Sequence, residues 1–551
     1  MIMAIRFKGF FGVRKPSLIR FFNQSISQSY SHTYNYNPDP FGTTDEGGID
    51  EIHQNFKLHD SRSLSKFINQ PNQIRCLARD FIHDSLYNPN YGYFSKKVEI
   101  FENEEEEDAD HEAQDDGKGR LRALKRIKLF QKSLDSFDQL QSEETPKSSE
   151  NLSKANHKLV DVDQSQIWHT PTELFKPWYS RCVANHILKF HQSKPLKPLK
   201  IYEIGAGNGT LCQGIMDHIE YVNPDLYKIT TYTTIEVSSK LSQRQKARSI
   251  SSGHSDKVRV INTSVLDPDP ALLEKEEEEC WVLGFEVLDN LTRDVIRTDY
   301  QTGQTLQSMV IVDQKGNFHE RFIPVNRSNN PNLSNYLEIF SKQINSRNRT
   351  PSLNKLKSKW VPFYPNLSQP EFIPTSYNVL LKNIFKYFPN HKLIFSDFNE
   401  LPNTIEGIEA PVVQTRLNGM VIPVTTYLVK QGSFDIFFPT NFENFRILYK
   451  NEYNLQHQDS NLIKNSINQT ETDRTEILSK TSVSLKIYDH LNFFLKNFQE
   501  VYNKKTISKV DDKDFKNLTE KTYYEFDEEE FKLIKLNLEK YYQNVKVITS
   551  L

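Results

Sequence analysis

The sequence predicts an α/β fold built on a doubly wound, parallel sheet. Apolar, strand-like segments alternate with helix-like segments from residue 199 to residue 285. A glycine-rich turn joins the first of these strands to the helix that follows it. With 551 residues, the chain can bury a large core around such a sheet. Because strands that alternate with helices form right-handed βαβ units, these observations favour a parallel sheet.

The predicted elements of this sheet are short and closely spaced. Strands are expected at 199–204, 229–237, 258–265 and 280–285, and helices at 210–221 and 240–250. Apolar residues at 309–312 and 318–325 flank Lys315-Gly316, which predicts a hairpin that decorates the sheet. A helix at 377–388 then leads into a strand at 392–397, and two further helices are expected at 484–502 and 528–541.

Two helical segments are predicted before the sheet. Apolar residues recur at helical spacing from Ile74 to Ile82, and a turn at 87–94 follows. Thr170 is the expected N-cap of the second segment, with Pro171 at its first helical position and Glu173 placed to close a capping box. Apolar positions from 178 to 188 give that segment a face for the core.

Polar and charged segments interrupt this pattern and define the expected organisation. Residues 99–160 are interpreted as a charged low-complexity insertion, in which an acidic run precedes a basic one, and 454–475 as a polar loop insertion. Residues 60–98 are interpreted as an N-terminal helical segment on the substrate side. The main domain is expected at 161–450, and a C-terminal helical segment at 480–551.

Residues 1–35 have the composition of a mitochondrial transit peptide. Basic residues interleave with aromatic and aliphatic ones, four serines follow, and no acidic residue precedes position 39. The basic residues are Arg6, Lys8, Arg14, Lys15 and Arg20. A secretory signal would need a continuous apolar stretch, which is missing. The segment therefore predicts a mitochondrial location, in the matrix, with an ordinary basic tail as the alternative.

Composition disfavours several classes of protein. No stretch approaches the 18 or so uninterrupted apolar residues that a membrane span needs. The four cysteines form no C-x-x-C pair, so neither a disulfide framework nor a metal cluster is expected. The chain carries 69 Lys and Arg against 71 Asp and Glu. Without the five N-terminal bases 64 remain, for a net charge of −7, and a nucleic-acid partner is not expected.

The segment from Tyr202 to Thr210, Tyr-Glu-Ile-Gly-Ala-Gly-Asn-Gly-Thr, carries the most chemical information. It follows a predicted strand and opens a predicted helix, which is the context that a nucleotide-binding turn requires. Gly205, Gly207 and Gly209 would let the backbone turn sharply and approach a ligand closely. A dinucleotide fingerprint would place its third glycine where Thr210 stands. The pattern favours S-adenosylmethionine, which has no pyrophosphate, over NAD; a plain tight turn is the alternative.

An acidic residue stands at or just after the end of each of the first three strands. Glu203 is placed to serve the ammonium group of S-adenosylmethionine, directly or through water. Glu236 is placed to accept both ribose hydroxyls, and Asp267 to reach the adenine amine. Asp267 lies in an Asp-Pro-Asp-Pro segment, which also makes a good loop with no ligand. The ordered series of strands, acids and glycines predicts a cofactor site more strongly than the glycines alone.

Glu286 and Asp289 follow the fourth predicted strand and are the candidate catalytic residues. In open α/β sheets the carboxyl ends of the strands line the ligand crevice, so Glu286 is expected where an acceptor meets the methyl group. A guanidinium acceptor stays protonated, and a carboxylate can bind it bidentately and leave one nitrogen lone pair aimed at the sulfonium. The alternative for Asp289 is a cap on a following helix. The Asn/Asp-Pro-Pro-aromatic signature of amide and base methylases is absent from the sequence, which disfavours a DNA or glutamine acceptor.

These motifs resemble the MidA-type family, the mitochondrial protein-arginine methyltransferases that act in assembly of respiratory complex I. Six segments follow the family's order, namely 89–94, 170–173, 203–210, 286–291, 371–374 and 434–442. The resemblance covers residues 65–450 with interruptions, and its specificity comes from the combination. The chain departs from the family at Phe285, where the family has Asn. It also carries Asp-Phe-Asn-Glu-Leu at 397–401 in place of Asp-Tyr/Phe-Gly-His-Asp-Gly.

The resemblance implies a mainly parallel, seven-stranded methyltransferase-type sheet with helical additions and charged or polar insertions. It further implies a divergent, S-adenosylmethionine-dependent protein-arginine N-methyltransferase whose substrate is a subunit of respiratory complex I. Two alternatives stay open. The altered segment after Asp397 would suit a non-catalytic assembly factor that keeps the fold. A methyltransferase that acts on RNA or on a small molecule is the other.

Overall fold

The computed structural model of the chain describes residues 55–96, 170–191, 196–341, 356–357, 359–361, 365–401, 409–417, 420–461, 484–503 and 528–550. The predicted transit peptide at 1–35 and the charged insertion from 99 to 160 lie outside these residues. So do residues 462–475 of the predicted polar loop. None of the helices in the described ranges is long and apolar enough to cross a bilayer.

Strands in the described ranges are numbered in chain order. They are β1 (Lys57–Leu58), β2 (Ile74–Leu77), β3 (Leu199–Ile204), β4 (Thr230–Glu236), β5 (Val258–Asn262), β6 (Cys280–Phe285), β7 (Asp294–Thr298), β8 (Thr305–Val312), β9 (Phe318–Pro324), β10 (Glu371–Ile373), β11 (His391–Phe398), β12 (Val412–Leu417), β13 (Met420–Val424), β14 (Asp435–Phe437), β15 (Leu485–Asp489) and β16 (Val545–Ser550).

The helices in the described ranges are numbered in the same way. They are α1 (Ser61–Leu64), α2 (Ala78–Tyr87), α3 (Tyr93–Lys96), α4 (Pro171–Leu174), α5 (Trp178–Phe190), α6 (Thr210–Val222), α7 (Pro224–Lys228), α8 (Ser239–Ser251), α9 (Pro331–Ile339), α10 (Thr375–Tyr387), α11 (Phe442–Asn461), α12 (His490–Asn503) and α13 (Glu528–Tyr541).

A seven-stranded sheet in the order β15-β16-β11-β6-β3-β4-β5 forms the centre of the fold. The five strands from β11 to β5 are parallel to one another, while β16 and β15 add antiparallel strands at one edge. The predicted doubly wound, mainly parallel seven-stranded sheet is therefore confirmed. The observed bounds of its four predicted strands between 199 and 285 differ from the expected ones by at most three residues.

Both faces of this sheet are buried, which explains why β6 is apolar throughout. Trp281 and Leu283 on alternate positions of β6 join a core cluster with residues of α5, α6, α12 and α13. Cys280 and Val282 face the opposite way and join a second cluster with residues of α10 and α11. Because side chains alternate along a strand, one apolar strand supplies both cores.

A second sheet has the order β1-β2-β8-β7-β10, and β9 pairs with β8 off this path. The predicted hairpin is present as β8 and β9, but it belongs to this second sheet and does not decorate the central one. A small third sheet, β13-β12-β14, completes the described strands. Of these two sheets, the sequence predicted only the β8–β9 hairpin. In the second sheet, β2 pairs with β8 across more than two hundred residues and β10 pairs with β7 across more than seventy, so no local pattern predicts these pairs.

Three predicted elements differ from the structure. The helix expected from Ile74 begins only at Ala78, because residues 74–77 form β2 and pair with residues 309–312 of β8. The helix expected at 484–502 begins at His490, because residues 485–489 form β15 and pair with β16. The polar loop expected from residue 454 is helical as far as Asn461, the end of α11.

Candidate active site

A cleft of about 230 Å³ opens at the carboxyl ends of β3, β4, β5 and β6. This is the edge at which an open α/β sheet presents a ligand crevice. The lining combines the glycine turn with acidic residues, apolar side chains and parts of the N-terminal segment. Its lining residues include Glu203, Gly205, Gly207, Glu236, Glu286, Asp289 and Asp435, together with His83, Tyr87, Phe94, Glu173, Ile235, Leu241, Val265 and Leu266.

The three glycines of the turn all adopt left-handed backbone conformations, with φ of +68° at Gly205, +54° at Gly207 and +81° at Gly209. A Cβ at position 205 would lie 2.9 Å from Cγ2 of Val287, so the close approach also requires glycine. Gly205 and Gly207 line the cleft, as predicted. Gly209 instead faces the side chains of Gln245 and Arg248, and it shapes the start of α6 without lining the cleft.

Glu203 and Glu236 lie on neighbouring strands and both line the cleft. Tyr232 donates its hydroxyl hydrogen to Oε2 of Glu203 at 2.9 Å. The main-chain amide of Ser238 donates to Oε1 of Glu236 at 2.9 Å. Burial raises the pKa of Glu203 to about 8 and the pKa of Glu236 to about 7. The structure therefore brings the two predicted carboxylates to one side of one pocket.

Gln245, on α8, forms hydrogen bonds beside the glycine turn, and it was not identified from the sequence. Its Nε2 donates to the main-chain oxygen of Gly207 at 2.8 Å and to Oε2 of Glu236 at 3.2 Å. Its Oε1 accepts from the hydroxyl of Thr234 at 2.7 Å. One buried amide thus links the glycine turn to the carboxylate at the end of β4. A glutamine within an ordinary polar helix face gives no sequence signal for this role.

Asp267 does not join the other predicted residues. Its carboxylate is about half exposed, lies outside the cleft lining and forms a two-point ion pair with Arg62, with nitrogen–oxygen distances of 2.5 and 2.8 Å. The preceding residues, from Thr263 to Leu266, line the cleft instead. The structure does not bring Asp267 into the cleft lining, because β5 ends at Asn262 and Asp267 lies five residues further along a surface loop. Its contact with the adenine stays a prediction.

Glu286 directly follows β6 and lines the cleft, as predicted. Its φ of +54° is in the left-handed region, which residues other than glycine rarely adopt. Its main-chain amide donates to the oxygen of Ser396 at 2.9 Å, which fixes this turn to β11. Burial, together with the charges of Asp397 and Glu173, raises the pKa of the Glu286 carboxyl well above its ordinary range.

Asp289 also lines the cleft and is 5% exposed. No helix follows it, because residues 287–291 form a turn that leads into β7, so the helix-cap alternative is excluded. Its Oδ1 is buried without a hydrogen-bond partner among the described residues. Burial and the charges of Asp397, Glu286 and Asp435 raise its pKa well above the ordinary range. A buried carboxylate oxygen with no partner is the kind of group that a cationic ligand satisfies.

Two further regions contribute residues that sequence reasoning did not assign to the site. Asp435, at the start of β14 in the third sheet, is fully buried and lines the cleft beside Asn290. The N-terminal segment covers the cleft through Tyr87, whose hydroxyl donates to the main-chain oxygen of Asn290 at 3.0 Å. The one sequence signal for Asp435 is that it belongs to the segment 434–442, which resembles the family.

Thr170 caps α4 as predicted, since its hydroxyl accepts from the amide of Glu173 at 3.2 Å. The Glu173 carboxylate does not complete a capping box, however. It accepts a hydrogen bond from the hydroxyl of Thr210, in the first turn of α6, and it lines the cleft. The capping pattern therefore contains a residue that also joins α4 to the glycine turn.

A doubly wound sheet with a glycine turn after its first strand and acidic strand ends around one cleft defines the class of nucleotide-cofactor-binding α/β proteins. The chain belongs within that class to the family of S-adenosyl-L-methionine-dependent methyltransferases, whose family model matches residues 182–460, about half of the chain. It is a divergent, MidA-type member of that family, and S-adenosylmethionine is the family's cofactor.

Among curated proteins, the chain is similar to the mitochondrial protein arginine methyltransferase NDUFAF7 homolog of Schizosaccharomyces pombe, with 22% identity over 249 residues. The match covers 44% of this chain and 52% of the relative, so the chain spans about half the length of that relative. Among solved structures, it is similar to a Burkholderia thailandensis protein bound to S-adenosyl-homocysteine, with 13% identity and a TM-score of 0.43. That similarity covers 71% of this chain and 80% of the other. A second structure from the same organism, also 13% identical, has a TM-score of 0.41 and covers 68% and 79%.

Proposed function

We propose that the chain transfers a methyl group from S-adenosylmethionine to an arginine side chain of a protein in the mitochondrial matrix, in connection with assembly of respiratory complex I. The observation that carries the proposal is the juxtaposition, in one cleft, of the glycine turn with the buried carboxylates of Glu286 and Asp289. The name of the S. pombe relative supports the arginine acceptor and the mitochondrial location. The resemblance stated above supports the link to complex I.

The cofactor end of the cleft fits S-adenosylmethionine. Gly205 and Gly207 line the cleft without a side chain, so their main chain is open to the cofactor. Glu236 would hold the ribose hydroxyls, with Gln245 fixing its orientation, and Glu203 would serve the ammonium group. Ile235, Leu241 and Val265 offer apolar surface to the adenine. When bound, the cofactor supplies an electrophilic methyl group and retains, as a thioether, the electron pair of the broken carbon–sulfur bond.

The acceptor end of the cleft binds and orients a cation. Glu286 and Asp289 would accept hydrogen bonds from the guanidinium and draw its positive charge to one side. The opposite nitrogen then directs its electron pair toward the cofactor end. As the new nitrogen–carbon bond forms, the guanidinium gains a second positive charge and releases one proton to the Glu286 carboxylate, from the nitrogen that this carboxylate already holds. A bound cation lowers the raised pKa of Glu286 and so keeps the carboxylate ionised beforehand.

Radiolabelled methyl transfer to an extract of mitochondrial proteins tests this proposal. We expect label on arginine with the wild-type protein and none with Glu286→Ala. Label on RNA or on small molecules would contradict the protein acceptor and point to a different class of substrate.

The replacement of the family's Gly-His segment by Asn399-Glu400 favours the non-catalytic assembly factor as the second candidate. Cofactor binding without any label, in extracts lacking the endogenous enzyme, would support that candidate instead.

A further inference from the structure

We propose that Asp435 forms, with Asp289, a two-carboxylate subsite that holds the guanidinium of the acceptor and selects it over an ammonium. This inference rests on the proposed function and adds a specificity-determining residue to it. Asp435 comes from β14 of the third sheet, outside the nucleotide-binding core. Recognition of the acceptor would thus depend on a part of the molecule that takes no part in holding the cofactor.

The two carboxylates share one unusual property. Asp435 is fully buried and Asp289 nearly so, yet each keeps one oxygen with no hydrogen-bond partner among the described residues. Those oxygens are Oδ2 of Asp435 and Oδ1 of Asp289, and both residues line the cleft. A buried carboxylate oxygen without a hydrogen-bond donor destabilises a protein. Such a loss is tolerable where a ligand supplies the missing donors.

The groups around Asp435 are neutral or acidic. Asn290 donates its Nδ2 to Oδ1 of Asp435 at 3.4 Å, and Tyr87 and Asp289 lie close enough to interact electrostatically with it. Glu286 and Asp397 in turn act on Asp289. Within the described part of the chain, neither Asp289 nor Asp435 is paired with lysine or arginine. The missing partner is therefore a cation brought by a ligand.

The spacing of the acids favours a planar organic cation over a metal ion. In the described residues, the one group of three His, Cys, Asp or Glu with ligand atoms within 4.8 Å of one another is Asp217, Glu220 and His254. The acids of the cleft are too widely spread to qualify. A guanidinium carries five N–H donors in one plane and can bridge separated carboxylates, whereas an ammonium acts as a point charge.

The cover of the cleft suits the same ligand. Tyr87 lines the cleft, and its ring stacks on Phe94 with centroids 5.4 Å apart and an interplanar angle of 20°. Its hydroxyl is anchored on Asn290, the residue that also holds Asp435. A guanidinium stacks on aromatic faces more readily than an ammonium does. Aromatic cover and paired carboxylates are thus arranged around the same residue.

Calorimetry on the full chain saturated with S-adenosyl-homocysteine tests the inference. The probe is a blocked tripeptide, acetyl-Gly-Arg-Gly-amide, compared with the same peptide carrying lysine or neutral citrulline. We expect the arginine peptide to bind most tightly. Asp435→Asn should weaken its binding by at least about tenfold, since the variant loses a charged hydrogen-bond acceptor for the guanidinium. Asp84→Asn is the matched control, because Asp84 is a buried carboxylate that bonds Tyr91 and Asn88 away from the cleft.

A second readout separates binding from a merely structural role. Burial raises the pKa of Asp435 to about 7, so a cation that binds below that pH should displace a proton. The binding enthalpy of the wild type should then depend on the ionisation enthalpy of the buffer, and this dependence should shrink in Asp435→Asn. Equal peptide affinity in wild type and Asp435→Asn, equal binding of the citrulline peptide, or no peptide binding at millimolar concentration would each overturn the inference. Failure to bind S-adenosyl-homocysteine would contradict the proposed function itself.

Discussion

Oδ2 of Asp397 lies 2.8 Å from the main-chain nitrogen of Leu288 and accepts its hydrogen. The same oxygen accepts from the amide of Asp289 at 3.2 Å, and Oδ1 accepts from the amide of Phe398 at 2.7 Å. Asp397 is fully buried but is not part of the cleft lining. Its carboxylate therefore positions the turn that carries Glu286 and Asp289 without touching a ligand.

Replacing Asp397 with Asn should disturb this turn. An amide has one acceptor oxygen, so at least one of the three main-chain amides would lose its partner. We expect the free energy of unfolding to fall by about 1–3 kcal/mol in denaturant titrations. The turnover number should fall while cofactor affinity stays within about twofold. Asp225→Asn, at an exposed position on α7, is the control and should change neither quantity. A fully active Asp397→Asn would contradict the positioning role.

Gly205→Ala should abolish binding of S-adenosylmethionine. The added Cβ would lie 2.9 Å from Val287, and alanine would have to adopt a φ of +68°. Gly303→Ala provides a matched control, because Gly303 has a φ of +76° but a Cβ there meets nothing within 4 Å. The control should lose about 1–2 kcal/mol of stability from the backbone conformation alone and keep its cofactor affinity. Gly207→Arg should also prevent binding, and calorimetry on the three variants distinguishes these outcomes.

Glu236 and Asp267 should differ in their importance for the cofactor. Glu236→Gln removes a buried carboxylate at the cleft, and we expect the dissociation constant of S-adenosylmethionine to rise at least about tenfold. Asp267→Asn removes an exposed ion pair with Arg62, and exposed pairs contribute little. The dissociation constant should therefore change less than about threefold. A stronger effect of Asp267→Asn than of Glu236→Gln would show that the adenine binds nearer to Asp267 than the present cleft implies.

Stability of the ligand-free protein should carry a pH-dependent contribution from Glu236. Burial raises its pKa from 4.5 to about 7, so the native state binds the proton more tightly than the unfolded state does. The stabilising contribution is fully present below pH 4.5 and is lost as the pH rises through about 7. Buried His83 and His391, whose pKa values burial lowers to about 4, act in the opposite direction between pH 4 and 6.5. The difference between wild type and Glu236→Gln isolates Glu236.

In denaturant titrations, the stability of the wild type relative to Glu236→Gln should decrease between about pH 4.5 and 7. The slope should reach at most about 1.4 kcal/mol per pH unit, the value for one proton. Saturation with S-adenosylmethionine should reduce the slope, because ribose hydroxyls would satisfy the ionised carboxylate. A difference that is independent of pH would mean that Glu236 has the same pKa in the native and unfolded states, and would contradict the raised pKa.

The central sheet was predictable because its signals are local. Leu199–Ile204 is apolar and bounded by the glycine turn, and the structure has a strand at those residues. The glycine at position 205 indicates a sharp turn with positive φ, and the structure has a φ of +68° there. Periodicity failed at Ile74, where pairing with Val312, more than two hundred residues away, overrode an apolar pattern that also suits a helix.

The proposed acceptor side of the cleft was only half predictable. Glu286 and Asp289 could be found because they follow β6 directly, and strand ends mark the crevice. Asp435 and Gln245 reach the same cleft through the third sheet and through the face of a polar helix, and neither position has a local signal. Asp397 was noted only as the residue that precedes a segment that departs from the family pattern. Its hydrogen bonds to the turn after β6 could not be predicted, because they depend on how β11 pairs with β6 in three dimensions.

In the proposed mechanism, the left-handed conformation of Glu286 sets stability and activity against each other at one position. A glycine there would adopt the same backbone freely, and relief of about 1 kcal/mol or more would make such a variant harder to unfold than the natural chain. Selection for stability alone would therefore favour replacement of Glu286 by glycine. We therefore expect related proteins that keep the activity to keep glutamate at position 286. Replacement by glycine in a relative would indicate that this relative no longer uses the carboxylate.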